Sequence, residues 1–250
     1  MARNWLFGVY AIALFLILGL GALLALLLLP GIGRRRAMAR RISRGYLSLA
    51  AMPVTVVNAE RLPATQCVVV ANHASYLDGV VFTAALPPRF GFVIKREMNS
   101  VPLAGLLLRR LGSEFVERFN RNRGAADARR VMRNATNGNS LVFFPEGTFT
   151  RTPGLLKFHI GAFVIAARAG CPIVPAVVRG TRHALSPQGG LPRASKIEIT
   201  ILPPIQPPPA SPTAAAALRD QARAAILSEL GEPDLTYSDD TDRPPGTALG

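Results

Sequence analysis

Acid is scarce in this 250-residue chain. Asp and Glu number 15 against 29 Lys and Arg, a formal charge of +14 at pH 7. Basic partners are thereby disfavoured and anionic ones are expected: nucleic acid, lipid head groups or a phosphorylated substrate. Cysteine is scarcer still. Cys67 and Cys171 sit in apolar, β-like stretches without C-x-x-C spacing, which excludes a disulfide framework and suits a reducing, cytosol-facing compartment. The three histidines form no H-E-x-x-H string, so no metal site is expected, and no G-x-S-x-G elbow offers a serine nucleophile. Aromatics are only 7% of the chain and are not interleaved with the basic residues. With no recognised nucleic-acid module either, the sequence argues against nucleic acid as the partner.

Between Trp5 and Ile32 the chain lacks charge altogether. About 24 helical residues cover roughly 36 Å, enough for a bilayer core of about 30 Å with some tilt. A signal peptide would have an apolar region of about 7 to 15 residues and a small-residue cleavage site. Here the run is longer and leads into Arg34-Arg35-Arg36. Residues 1–33 therefore read as a retained membrane helix that spans the bilayer or enters one leaflet, with Trp5 as an interfacial anchor and Tyr10 either a second anchor or a buried residue. Residues 34–50 read as a basic juxtamembrane segment. It is a positive-inside determinant, keeping the rest of the chain on the cytoplasmic face of the cell membrane, a surface helix on anionic lipid, or an ordinary solvated basic face. A shallower apolar stretch, Tyr46 to Val57, is expected to dip into the interface.

Beyond it, β-like runs at 54–58, 67–71, 91–95, 113–117, 140–144, 173–178 and 196–202 alternate with helix-like segments at 77–86, 101–111, 124–137 and 159–169. The alternation predicts an α/β domain over residues 51–205, with a central, mostly parallel sheet flanked by helices. Residues 206–231 read as a proline-rich connector and a C-terminal helix, capped by Thr213 and stopped by Gly231. Residues 232–250 read as a disordered acidic tail.

Two strings follow strand-like runs. Asn72-His73-Ala74-Ser75-Tyr76-Leu77-Asp78 comes after Val68-Val69-Val70, and Phe144-Pro145-Glu146-Gly147-Thr148 comes after Leu141-Val142-Phe143. A histidine with a carboxylate partner can take a proton from a hydroxyl at neutral pH. The spacing Ser75-x-x-Asp78 predicts a helix start with Ser75 as cap, turning Asp78 back toward His73 to fix its tautomer. In the second string Pro145 fixes the backbone, Gly147 permits close approach, and backbone N–H groups can bind a phosphate or oxyanion. Glu146 can hold a hydroxyl or pair with a cation. Each string also has a plain structural reading, Asp78 as a helix cap and FPEGT as a tight turn. His159 and His183 read as structural polar residues.

Together these strings resemble those of the glycerolipid acyltransferases, the lysophosphatidic acid acyltransferase (PlsC) family. That family has a histidine, four residues and an aspartate, then an FPEGT-type motif. Its glycine-to-arginine block is matched by Gly112 to Arg118, and its apolar strand with proline by Ile173-Val174-Pro175-Ala176. The similarity covers roughly residues 50 to 205. It implies His73 as general base, Asp78 as its orienting carboxylate, and Arg118 with Glu146, Gly147 and Thr148 as grip on the acceptor phosphate, aided by Lys95. It implies transfer of an acyl chain from acyl-CoA or acyl carrier protein to a lysophospholipid, at a bilayer with anionic head groups and with no cofactor. Two departures stand near the implied head-group pocket. Phe149-Thr150 follows FPEGT where the family commonly has Arg-Ser, and Phe158-His159-Ile160-Gly161 stands for Phe-Lys-x-Gly. The nearest alternative is transfer to another lysolipid, such as a lyso-ornithine lipid. The alternatives from other classes are a membrane-tethered basic binding protein and a lipid hydrolase.

Overall fold

The computed structural model describes residues 2–117, 121–208 and 213–236. Two helices come first, α1 (Ala2–Leu28) and α2 (Ile32–Leu49). Seven strands follow: β1 (Val54–Val57), β2 (Val68–Ala71), β3 (Phe90–Lys95), β4 (Glu114–Val116), β5 (Ser140–Phe143), β6 (Ile173–Arg179) and β7 (Ile197–Ile201). Among them run α3 (Asp78–Ala85), α4 (Ala104–Arg110), α5 (Arg121–Thr136), α6 (Gly161–Ala169) and the short α7 (Thr181–Ala184), and α8 (Ala214–Leu230) closes the domain. The strands form one sheet in the order β1-β7-β6-β2-β5-β3-β4. All neighbours are parallel except β6 and β7. This is the α/β architecture with a mostly parallel sheet that the alternation predicts.

The sheet is covered on both faces, which is why its central strands are apolar without interruption. In β2, Val68 and Val70 join a core made with Val131 and Ala135 of α5, Phe163 of α6, and Leu218 and Ile226 of α8. Val69 and Ala71 face the other way, toward Tyr46 and Leu47 of α2 and Val81 and Phe82 of α3. Strand order reverses at β2. The chain leaves β2 through α3 to reach β3 on one side, and leaves β5 through α6 to reach β6 on the other. The crevice beyond the carboxyl ends of β2 and β5 is thus a topological switch point. Both sequence strings open into it.

Asn72 ends β2 in an unusual way. Its side-chain Nδ2 donates to the Val178 carbonyl at 3.0 Å, and its Oδ1 accepts from the Val178 N–H at 2.8 Å. The amide supplies the next rung of the β2–β6 ladder after the main chain has turned away, and so fixes where His73 leaves the sheet.

Several expectations change. Residues 46–57 do not form a separate interfacial dip: Tyr46, Leu47 and Met52 are buried in the core and Val54–Val57 is a sheet strand. The basic segment is one continuous helix, and part of it is spent on the fold. Arg36 donates to the carbonyls of Arg89, Leu111 and Gly112, and Arg40 to those of Ala84 and Ala85 at the end of α3. Free carbonyls at helix ends attract such cations. Arg34, Arg41 and Arg44 remain exposed. The acidic segment expected to be disordered begins with ordered residues. Glu232 accepts from the Gly154 N–H, and Asp234 pairs with Arg223. Residues 237–250 lie outside the described residues.

Replacing Asn72 with alanine leaves both main-chain groups of Val178 without that partner in a buried setting. A loss of about 2 kcal/mol or more is expected, measured as a shift in the denaturant midpoint of the purified protein. An unchanged midpoint would show that the rung carries no load.

Candidate active site

His73 sits just past β2, and Asp78 is the first residue of α3. The helix begins two residues later than a Ser75 cap requires, because Ser75 belongs to the preceding turn. Its hydroxyl accepts from the Leu77 N–H and donates to the Leu185 carbonyl. Asp78 still turns back as expected. Its Oδ2 accepts from His73 Nδ1 at 2.7 Å, from the Ala74 N–H at 2.7 Å and from the Ser75 N–H at 3.0 Å. The carboxylate is fully buried at a helix N-terminus, where backbone dipoles favour negative charge. The imidazole is thereby held through Nδ1, which leaves Nε2 as its second proton site.

Aromatic rings fix the imidazole plane. Phe144 stacks on it with centroids 4.5 Å apart, and Phe149 meets it edge-on at 4.6 Å. Phe149 also meets Tyr76 edge-on at 4.8 Å. Little in the sequence marks this cage. Its only trace was the departure at Phe149, which now has a structural use.

The second string is a turn. Gly147 donates its N–H to the Phe144 carbonyl at 2.9 Å and has φ 73°, a conformation suited to glycine. Glu146 was expected to face substrate, but it lies under the loop, 4% exposed. One oxygen accepts from the His73 N–H at 2.6 Å and the other from the Leu156 N–H at 2.9 Å. Glu146 thus ties the two strings together through main-chain groups. Burial pushes its carboxyl up to about 8, with Asp78 adding to the shift, against the two amides and Arg182.

His73, Gly147, Thr148 and Phe149 stand at a cavity of about 720 Å³. The rest of its wall is largely apolar, from Phe15, Leu18 and Ala22 of α1, Ile42 of α2, and Leu107 and Leu108 of α4. Lys95 also reaches it. Arg118 lies outside the described residues, but the strand leading to it is braced. The buried Asp127 accepts from the Glu117 N–H at 3.0 Å and pairs with Arg96 and Arg130. Nothing in the spacing of Asp127 marks that role; only the tertiary pairing does. Among the described residues no cluster of metal-binding side chains occurs.

A buried carboxylate, an oriented imidazole and an adjoining apolar cavity form an arrangement for proton removal beside an aliphatic chain. A family model described as Acyltransferase matches residues 53–179, from β1 to the end of β6. The chain belongs to the acyltransferase family. Among curated members, the 1-acyl-sn-glycerol-3-phosphate acyltransferase of Saccharomyces cerevisiae is 30% identical over 200 residues, 78% of this chain and 65% of that protein. The enzyme of the same name from Haemophilus influenzae is 32% identical over 123 residues, 49% of this chain and 51% of that protein. The chain thus spans less than two thirds of the length of these curated relatives. In three dimensions this acyltransferase-family chain resembles the crystal structure of the 1-acyl-sn-glycerophosphate (LPA) acyltransferase PlsC from Thermotoga maritima. The TM-score is 0.70 at 22% identity, covering 91% of this chain and 95% of that one.

The raised Glu146 value sets a pH dependence. A carboxyl that holds its proton more tightly folded than unfolded stabilises the fold while protonated. That contribution is complete below about 4.5 and is lost as pH rises toward 8. Thermal midpoints in mild detergent should therefore fall between pH 5 and 8, and Glu146→Gln should flatten the fall. An equally steep fall in the variant would exclude Glu146 as its source.

Proposed function

We propose that this protein transfers an acyl chain from an acyl thioester to the sn-2 hydroxyl of lysophosphatidic acid, giving phosphatidic acid. The observation that carries this proposal is the 2.7 Å pairing of Asp78 with His73 Nδ1 at an apolar cavity of about 720 Å³. The relatives from Saccharomyces cerevisiae and Haemophilus influenzae are named for the same acceptor.

In this mechanism the acceptor hydroxyl approaches His73 Nε2, which removes its proton as the oxygen attacks the thioester carbonyl. Asp78 keeps the ring in register and stabilises the imidazolium. The tetrahedral intermediate collapses with loss of the thiolate, which can take back the proton. No covalent acyl-enzyme is needed. With the Gly147 N–H taken by the Phe144 carbonyl, the N–H and hydroxyl of Thr148, with Arg118 and Lys95, hold the acceptor phosphate by charge-assisted bonds. The apolar cavity takes an aliphatic chain, and its depth sets chain selectivity. The donor is acyl-CoA or acyl carrier protein, which share the thioester. Phe149 favours a second reading. It packs on His73 where the family commonly carries arginine, so a lysolipid with a different head group, such as a lyso-ornithine lipid, is the alternative acceptor.

The attachment to lipid is monotopic in this proposal. The segment Asn4–Leu28 is long and apolar enough to cross a bilayer, with mean hydropathy 2.9. Yet α1 lies against the domain along most of its length. Near one end, a β-carbon on Gly8 would stand 2.3 Å from Leu191 Cβ, and the Tyr10 hydroxyl donates to the Leu49 carbonyl. Near the other, Arg110 donates to the carbonyls of Leu26 and Leu27. These contacts are about 27 Å apart along the helix. An upright span would carry the polar loop around Leu191 through the hydrocarbon, at a cost of several kcal/mol per unsatisfied group. Lying in one leaflet, α1 instead offers lipid its exposed Leu6, Leu16, Ile17, Leu20 and Leu24, with Arg34, Arg41 and Arg44 placed for anionic head groups on the cytoplasmic face.

Product mass spectrometry tests the activity. Purified protein receives acyl-CoA or acyl carrier protein and a panel of lysolipids. Diacyl product from lysophosphatidic acid is expected, and His73→Ala should reduce its rate by about 10²–10⁴-fold. Product from another lysolipid alone would move the acceptor. Free fatty acid alone would indicate a hydrolase, and no product from any pair would favour the binding-protein alternative. For attachment, Asn4→Cys and Gly33→Cys should both react with an impermeant maleimide from the side that holds the catalytic domain. Labelling from opposite sides would establish a span.

A further inference from the structure

The first residues of the acidic C-terminal segment are built into the main-chain framework of the site. Residues 232–236 run beside Leu155 as a short parallel bridge. Leu155 donates to the Pro233 carbonyl at 2.9 Å and accepts from the Leu235 N–H at 3.0 Å. Asp234 takes two bonds from Arg223, at 2.9 and 2.5 Å. The same guanidinium donates through Nε to the Leu156 carbonyl at 3.1 Å and through Nη2 to that of Leu155 at 2.9 Å. Gly154 completes the fit. Its φ is 147°, its N–H reaches Glu232 at 2.6 Å, and a β-carbon there would stand 2.4 Å from the Leu235 side chain.

What this strap holds is a donor. Leu156 turns its N–H to one Glu146 oxygen, and the other oxygen accepts the His73 N–H. Glu146 is buried, so water cannot readily replace a lost amide partner. A path of hydrogen bonds thus runs from Asp234 through Arg223, the Leu155–Leu156 peptide and Glu146 to the main chain of His73. Arg182 supplies a parallel tie, donating to the Thr150 carbonyl at 2.7 Å while facing Glu232 at 3.5 Å.

We propose that Asp234 and Arg223 are positioning residues for the reaction, and that the strap over residues 232–236 sets the placement of His73 through Glu146. An exposed ion pair contributes little to stability by itself, about 0–1 kcal/mol. Asp234 is 44% exposed on its side chain, so a purely stabilising role predicts a small change in thermal midpoint and no change in turnover. Positioning predicts something different, because misplacing a reacting group costs rate steeply.

The test uses the full chain in mild detergent, with Asp234→Ala, Asp234→Glu and Gly154→Ala. Steady-state kinetics and site-resolved amide exchange are both recorded. Expected for Asp234→Ala is a roughly tenfold fall in kcat, with KM for both substrates within about twofold. The His73 and Leu156 amides should exchange roughly tenfold faster. Asp234→Glu should recover both properties, and Gly154→Ala, which displaces Leu235 without altering charge, should reproduce the alanine phenotype. Unchanged His73 exchange in Asp234→Ala would overturn the proposal. Faster exchange with unchanged kcat would do so too, leaving a brace without a role in turnover. The kinetic arm rests on the acyl-transfer reaction proposed above and the exchange arm does not. If the parent protein forms no product, that reaction fails while exchange at His73 still decides whether the strap reaches the site.

Discussion

Val68, Val69 and Val70 pair in register with Leu141, Val142 and Phe143, and the site depends on this short parallel ladder. It sets two loops side by side that are separated by some seventy residues in sequence. Each loop leaves the sheet at the same end, one with an imidazole and the other with a tight turn. Burial on both faces makes the ladder rigid and its register costly to change, since a shift of one residue would turn every side chain to the opposite face. Asn72 then extends the ladder sideways to β6 by one side-chain rung. Glu146 joins the loops above it. The catalytic histidine proposed here is therefore held by its main chain from two directions before Asp78 acts on its ring.

Local sequence carries a fair part of this. Uninterrupted apolar runs identify β2 and β6 as strands covered on both faces, and the five-residue spacing of His73 and Asp78 foretells their contact. The seven strand candidates match the seven strands to within one or two residues at their ends. What local sequence does not carry is any role that a distant partner assigns. Glu146 reads as a substrate ligand until two buried main-chain donors occupy its oxygens. Arg36 and Arg40 read as lipid contacts until the ends of other segments supply carbonyls. Asp234 lies in a stretch whose acidic, proline- and glycine-rich composition argues for disorder, but composition cannot register an arginine waiting at position 223. The helix start near Ser75 is a smaller instance: the hydroxyl finds a nearer donor in its own turn, and α3 begins at Asp78.

Arginine does two kinds of work in this chain. The large excess of positive charge suggests a surface built for anions, but many guanidiniums end on carbonyl oxygens. Arg110 closes the end of α1, Arg40 that of α3, and Arg223 the Leu155–Leu156 turn. A planar group with several donors in a fixed fork suits that task better than a lysine ammonium, in keeping with the composition, which is far richer in arginine than lysine. Net charge thus overstates how much of the surface is available to a partner. The exposed remainder on α2 is a narrower feature, with Arg34, Arg41 and Arg44 spaced to share one side of a helix.

The cavity has one wall that the sheet domain does not own. Phe15, Leu18, Ala22 and Leu26 reach it from α1, so the helix proposed to meet lipid also lines the space beside His73. Trimming the first thirty residues to obtain a water-soluble fragment would strip that wall and leave a more open trench. An aliphatic chain lying in that trench would be flanked by water on one side, and in the acyl transfer proposed above the fragment would be a poor guide to chain-length preference.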